Sequence, residues 1–238
     1  MSNNWFRFKQ FLIRQEHSAM KVNTDSVLLG AMADVVNARK ILDVGTGTGI
    51  IALMLAQRSL AQIDAVEISK DAFFDAQGNV DASPWKNRIF IYHNSFQKYT
   101  RSFSPKKEKY DLIISNPPYY SNSLLPPDKH GRAIARHDLA LSDMDLLGGA
   151  DRVLKQEGCL WLIKPLSKLD RFLESVKKNH FFVNSERKIR YKPGREIARL
   201  ILQLSRIATE LQTAEMIIEN EDGGYSEEFF ELTKDFYL

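Results

Sequence analysis

Ile41–Ile50 reads "ILDVGTGTGI". A short apolar run of strand length passes without a spacer into glycines at alternate positions, Gly45, Gly47 and Gly49, and then into the apolar helical stretch "GIIALMLAQRS" (49–59). A strand, a tight glycine turn and a helix in that order form the first half of a βαβ unit. The rhythm continues outward. Strand-length runs recur at "KILDVG" (40–45), "QIDAVEI" (62–68), "RIFIYHN" (88–94), "YDLIIS" (110–115) and "GCLWLIKP" (158–165). Helical patterns lie between and after them: "SKDAFFDAQGNVDAS" (69–83), "DLALSDMDLLGGADRVLKQ" (138–156) and "LSKLDRFLESVKKN" (166–179). Near-continuous apolar strands predict an α/β fold with a mostly parallel sheet and helices on both faces.

After the fifth strand the pattern changes. "FFVNSERKIRY" and "EIARLILQLSR" are separated only by "KPGR" (192–195), which predicts an antiparallel hairpin at one edge of the sheet. Ahead of the first strand, "MKVNTDSVLLGAMADVV" (20–36) reads as a loop and a helix capped by Thr24 or Asp25. A single domain is expected over 1–238, with an N-terminal extension (1–39) capping the cofactor and substrate, a core (40–206) and a C-terminal tail (207–238). With 44% hydrophobic and 26% charged residues the composition is that of a globular protein, not a disordered one. No apolar run approaches the roughly 18 residues of a membrane span, and no signal peptide is evident, so a cytoplasmic protein is expected. The lone Cys159 lies in a strand pattern and reads as a small hydrophobe.

The glycine turn offers close backbone approach and free helix N-terminal N–H groups. Glu67, at the tip of the second strand, is placed to accept both hydroxyls of a ribose, so an adenosine-like ligand is expected. The turn spacing is Asp-x-Gly-x-Gly-x-Gly from Asp43, not the Gly-x-Gly-x-x-Gly of a pyrophosphate site. An acid there repels a diphosphate but favours the sulfonium and amino group of S-adenosylmethionine. The stretch "ILDVGTGTGIIALMLAQ" with "IDAVEIS" resembles the cofactor half of the Rossmann-like, seven-stranded methyltransferases that use S-adenosylmethionine. That resemblance implies a mostly parallel sheet with a reversed last strand, which the C-terminal hairpin fits. It also implies that Glu67 holds the ribose and Asn94 meets the adenine amino group, although the usual residue at the latter position is Asp.

The fourth strand ends in "SNPPYY" (115–120). A planar amino group is a poor nucleophile while its lone pair is delocalised, and two acceptors aimed at its N–H groups favour the change that frees it. The side-chain oxygen of Asn116 is one acceptor and the carbonyl of Pro117 the other, stiffened by Pro118. Tyr119 supplies a face for a planar base, worth about 1–3 kcal/mol. Methyltransferases with this tetrapeptide act on adenine N6, guanine N2 and glutamine amides. No metal is required, and the five His residues show no ligand spacing.

"FRFKQFLIRQEHSAMKVNTDSVLLGAMA" (6–33), "RAIARHD" (132–138) and "FELTKDFYL" (230–238) resemble the bacterial tRNA (adenine-N6)-methyltransferases that modify valine tRNA beside the anticodon, at position 37. Glutamine-methylating relatives carry an N-terminal helical domain, for which the segment before residue 40 leaves no room. The resemblance implies that Lys21 and Thr24, with Asn23, close the methionine end of the cofactor pocket. It implies that Arg132, Arg136 and His137 face RNA. Two basic stretches, "RFKQF" (7–11) and the hairpin segment carrying Arg187, Lys188, Arg190 and Lys192, are the expected tRNA backbone contacts. The expected activity is therefore adenine-N6 methylation of tRNA. Guanine in ribosomal RNA, a protein glutamine, and a catalytically silent cofactor-binding RNA module remain as alternatives.

Overall fold

The computed structural model describes residues 3–117 and 141–238. In chain order the elements are β1 (Trp5–Arg7), β2 (Leu12–Arg14), α1 (Thr24–Met32), β3 (Lys40–Val44), α2 (Ile50–Arg58), β4 (Gln62–Glu67), α3 (Lys70–Asp81), β5 (Ile89–His93) and α4 (Phe96–Arg101). β6 (Tyr110–Ser115), α5 (Asp143–Val153), β7 (Leu154–Pro165), α6 (Leu169–Lys178), β8 (Phe182–Arg190), β9 (Arg199–Ser205), β10 (Gln212–Ile217) and α7 (Glu227–Thr233) follow.

β1 and β2 pair with each other, and the remaining strands form one sheet in the order β10-β8-β9-β7-β6-β3-β4-β5. β3 through β7 are mutually parallel, and β9 alone runs against both of its neighbours. All five residues of β3 are buried, as a strand covered on both faces requires. One face of the sheet packs on α1, α2, α3 and α7 through a core that includes Leu28, Leu53, Ile63 and Phe229. The other packs on α4, α5 and α6 through Phe96, Leu147, Phe172 and Leu202. This is the Rossmann-like α/β arrangement expected, with the reversed strand inside the hairpin.

Three details differ from the sequence reading. The hairpin does not close the sheet: β10 adds a further strand beside β8, in a segment read as tail. Only Met216 of β10 is buried, so the strand exists by pairing its backbone, not by its own apolar pattern. Second, α5 stops at Val153 and β7 begins at once with Leu154, so "LKQ" belongs to the strand. Third, the cap of α1 is Asn23, neither Thr24 nor Asp25. Its extended backbone (φ −142°, ψ 163°) lets Oδ1 accept from the Ser26 N–H at 2.9 Å, the geometry a cap needs. Asp25 is instead buried, accepting from Arg199 Nε at 2.8 Å and the Tyr191 hydroxyl at 3.2 Å. That pair ties α1 to the C-terminal hairpin. Cys159 lies between Leu112 and Ser205 in the sheet, and burial pushes its thiol above the usual range.

Candidate functional site

β4 lies on one side of β3 and β6 on the other, so the connections after β3 leave in opposite directions and open a crevice at the carboxyl ends of the strands. Gly45 and Gly47 from the first strand end, Glu67 from the second, Asn94 from the third, and Asn116 with Pro117 from the fourth line one cavity there. All three glycines of the turn have positive φ: 73° at Gly45, 59° at Gly47 and 83° at Gly49. They differ in surroundings. A Cβ at Gly45 or Gly47 would meet nothing within 4 Å, so a ligand can approach the backbone, whereas one at Gly49 would lie 3.5 Å from Ala76 on α3. Gly49 therefore serves helix packing as well as the turn.

The Glu67 carboxylate is buried and held by two backbone donors. Oε2 accepts from the Gly47 N–H and Oε1 from the Ser69 N–H, each at 2.8 Å. Each oxygen retains one acceptor site, a spacing that suits two vicinal hydroxyls. Asn94 is anchored by its own N–H to the Glu67 carbonyl at 2.9 Å. Ile68 and Phe96 add apolar walls for a planar ring.

Asp43 lies beneath the turn, fully buried. Its Oδ2 accepts from the Thr46 hydroxyl at 2.5 Å, and Oδ1 has no hydrogen-bond partner among the described residues. Burial pushes the carboxyl up to about 7, against the opposing pull of the Thr46 hydroxyl. A cationic ligand above the turn would favour the charged form. The hydroxyl acceptors, the ring walls, the open glycine backbone and this buried acid together fit S-adenosylmethionine.

The Asp43 shift has a consequence for stability. Its carboxyl binds a proton more tightly folded than unfolded, so between about pH 4 and pH 7 the folded state holds more protons. The ligand-free protein should lose stability as pH rises through that window, and Asp43→Asn should remove that share of the slope. Urea unfolding at several pH values checks this; parallel stability profiles for the two proteins would count against it.

Asn116 is buried, and its Nδ2 donates to Ser26 Oγ on α1 at 3.0 Å. With the amino end of the amide engaged by the helix, Oδ1 is the atom on the other side of the planar group. Ser26 was not anticipated from sequence, because its contact spans 90 positions and leaves no local signal. Pro118, Tyr119, Arg132, Arg136 and His137 lie outside the described residues.

From the N-terminal segment, the residues that line the cavity are Ser18, Ala19 and Met20; Lys21 and Thr24 are not among them. The Lys21 ammonium donates instead to Asn4 Oδ1 at 3.2 Å, and Thr24 begins α1. Asp75 on α3 sets this register. Its carboxylate accepts from the His17 and Ser18 N–H groups at 3.0 and 2.8 Å, from the Ser18 hydroxyl at 2.7 Å, and meets His17 Nδ1 at 2.9 Å. Burial opposes its charge, but these bonds hold the carboxyl below the usual range.

Four of the five cations of β8 and its turn are paired within the molecule, Arg195 being the exception among the described residues. Arg187 meets Glu228 at 3.0 Å, Lys188 meets Glu186 at 3.5 Å, Lys192 meets Glu219 at 3.0 Å, and Arg190 pairs with Glu215. Three of those acids come from the acidic C-terminal segment. Each such surface pair adds little stability, but the set weakens the local positive field that RNA would feel. Among the described residues no cluster of three or more His, Cys, Asp or Glu could hold a metal, and no helix is long and apolar enough to cross a membrane.

Residues 16–190 match the family described as the methyltransferase small domain. The chain is 44% identical to the tRNA1(Val) (adenine(37)-N6)-methyltransferase of Trichodesmium erythraeum, covering 100% of this chain and 99% of that protein. It is 43% identical, over the same shares, to the protein of that name from Phocaeicola vulgatus. Among solved structures, an Agrobacterium tumefaciens protein described as a predicted O-methyltransferase superposes with a TM-score of 0.69 at 18% identity, covering 89% of this chain and 96% of that one.

Proposed function

We propose that this chain, which belongs to the methyltransferase small-domain family and to the tRNA1(Val) (adenine(37)-N6)-methyltransferases within it, moves a methyl group from S-adenosylmethionine to the N6 amino group of an adenine in tRNA. The base beside the anticodon of valine tRNA, position 37 in those relatives' name, is the proposed target. The observation that carries this reading is that Glu67 and Asn116, from adjacent halves of the sheet, line one cavity at the point where the strand order reverses.

When bound, S-adenosylmethionine supplies an electrophilic methyl carbon on a sulfonium. A new carbon–nitrogen bond forms as the carbon–sulfur bond breaks, its electron pair staying on sulfur. Glu67 orients the ribose and Asn94 the adenine edge. Asn116 Oδ1 and the Pro117 carbonyl accept from the two N–H groups of the target, turning its lone pair toward the methyl carbon. The surplus proton on nitrogen then leaves to water. Tyr119 supplies the stacking face and Arg132, Arg136 and His137 contact neighbouring RNA. An unpaired loop base reaches such a pocket at low cost, because it has no partner to give up. The whole chain acts as one unit, with residues 1–39 covering the cofactor, and a tRNA substrate puts the reaction in the cytoplasm.

The test is product identification. The protein is incubated with labelled methyl donor and total RNA or total protein from a strain lacking it. N6-methyladenosine in valine tRNA is the expected product; methylguanosine or methylglutamine would replace the proposal.

A further inference from the structure

Of the two basic segments expected to meet RNA, the C-terminal one is paired with its own acids at Arg187, Lys188, Arg190 and Lys192. The N-terminal one is not. β1 and β2 pair antiparallel with Trp5 opposite Arg14 and Arg7 opposite Leu12, so these four side chains share one face of the ribbon. The opposite face, Phe6 and Ile13, turns to the core.

On the outward face Trp5 is 50% exposed, and with Arg7, Leu12, Arg14 and Glu16 it lines a shallow concavity. Among the described residues neither guanidinium has a carboxylate partner, and the indole has no ring partner. Nearby, Lys21 and Lys9 donate to the neutral groups Asn4 Oδ1 and the Lys234 carbonyl, so their charges also remain uncancelled. Glu16 is the one acid at the rim.

The ribbon is mounted firmly beside the cofactor turn. Asn79 accepts from the Arg14 N–H at 2.8 Å, and its Nδ2 donates to the Arg14 and Thr48 carbonyls at 2.8 and 2.9 Å, Thr48 lying within the glycine turn. Four residues after Arg14 the chain reaches Ser18, the first residue of this arm to line the cavity. An exposed ring between two unpaired guanidiniums suits an unpaired nucleotide, whose base has a π-face and whose flanking phosphates are anionic. A membrane would call for a continuous apolar patch instead, and Leu12 and Trp5 do not make one.

We infer that the outward face of the β1–β2 ribbon holds a tRNA nucleotide other than the one methylated, with its base on Trp5 and its phosphates at Arg7 and Arg14. The inference rests on the reading of the substrate as tRNA.

The full-length protein, Trp5→Ala, Trp5→Phe and the double variant Arg7→Gln/Arg14→Gln are compared for binding of transcribed valine tRNA across a range of salt. Their kcat, tRNA KM and S-adenosylmethionine affinity are measured alongside. Trp5→Ala should raise the tRNA dissociation constant and KM by about tenfold, with Trp5→Phe restoring most of the loss. The arginine variant should lower the slope of log affinity against log salt by about 1 to 2. Turnover and cofactor affinity should stay at wild type, and Arg187→Gln should leave tRNA affinity within about twofold, since its charge is already paired. Wild-type tRNA affinity in both ribbon variants overturns the inference. So does a parallel fall in cofactor affinity, which would mean a structural role, or a change in sedimentation, which would assign the face to a second copy of the chain. If the wild type binds tRNA without methylating it, the functional reading fails while the binding comparison still judges the ribbon.

Discussion

Asn116→Ala should lower turnover on tRNA by about a hundredfold or more while leaving S-adenosylmethionine binding nearly intact. The side chain is buried just after β6 and its Nδ2 donates to Ser26 Oγ, an arrangement in which the proposed mechanism uses Oδ1 as the acceptor. Truncation removes a preorganised acceptor that acts as the target nitrogen pyramidalises and acquires positive charge. The glycine turn, stabilised by Glu67 and by Asp43 with Thr46, is untouched. Ser26→Ala provides the internal control. It leaves the acceptor present but removes the bond from Nδ2 to α1, so turnover should fall by less, on the order of tenfold, and Ser26→Thr should recover it. Steady-state kcat with calorimetric cofactor binding separates the two effects. Wild-type turnover in Asn116→Ala would remove Asn116 from the chemistry, and faster turnover in Ser26→Ala would mean that the helix holds the amide the wrong way round.

The parts of this site that could be read from sequence are those whose chemistry is local. Gly45 and Gly47 announce a turn because the chain there needs positive φ, and Glu67 and Asn116 because each ends a strand whose apolar run marks its own limit. What escaped reading depends on partners far along the chain. The bonds from residues 17 and 18 to Asp75 set the register of the N-terminal arm, and they bring Ser18 to Met20 to the cavity. β10 has four exposed residues in succession and no alternation, so its strand character comes from β8, reinforced by the pairing of Glu215 with Arg190. The same pairing reversed the meaning of the hairpin's charges. In sequence the basic and acidic stretches look like two separate surfaces, and in the fold they face each other.

Glu67→Ala should weaken S-adenosylmethionine binding by about a hundredfold or more. Hydrogen bonds to a charged acceptor contribute about 1.5–3 kcal/mol each, and two hydroxyls would lose theirs together. The carboxylate also bridges the Gly47 and Ser69 N–H groups, so its removal loosens the turn on one side of the cavity and the start of α3 on the other. Glu67→Gln is not a gentle replacement. Its single carbonyl can accept from only one of those two donors, and its NH2 group must then face the other, so an intermediate loss of at least about tenfold is expected. The two contributions, ribose recognition and support of the turn, are separable by a ligand that lacks one hydroxyl. The wild type should prefer S-adenosylmethionine over its 2′-deoxyribose analogue, and in Glu67→Ala that preference should collapse toward unity because both ligands lose the same acceptor. If the variant binds both ligands more weakly but discriminates between them as well as the wild type, Glu67 supports the turn and another group reads the ribose.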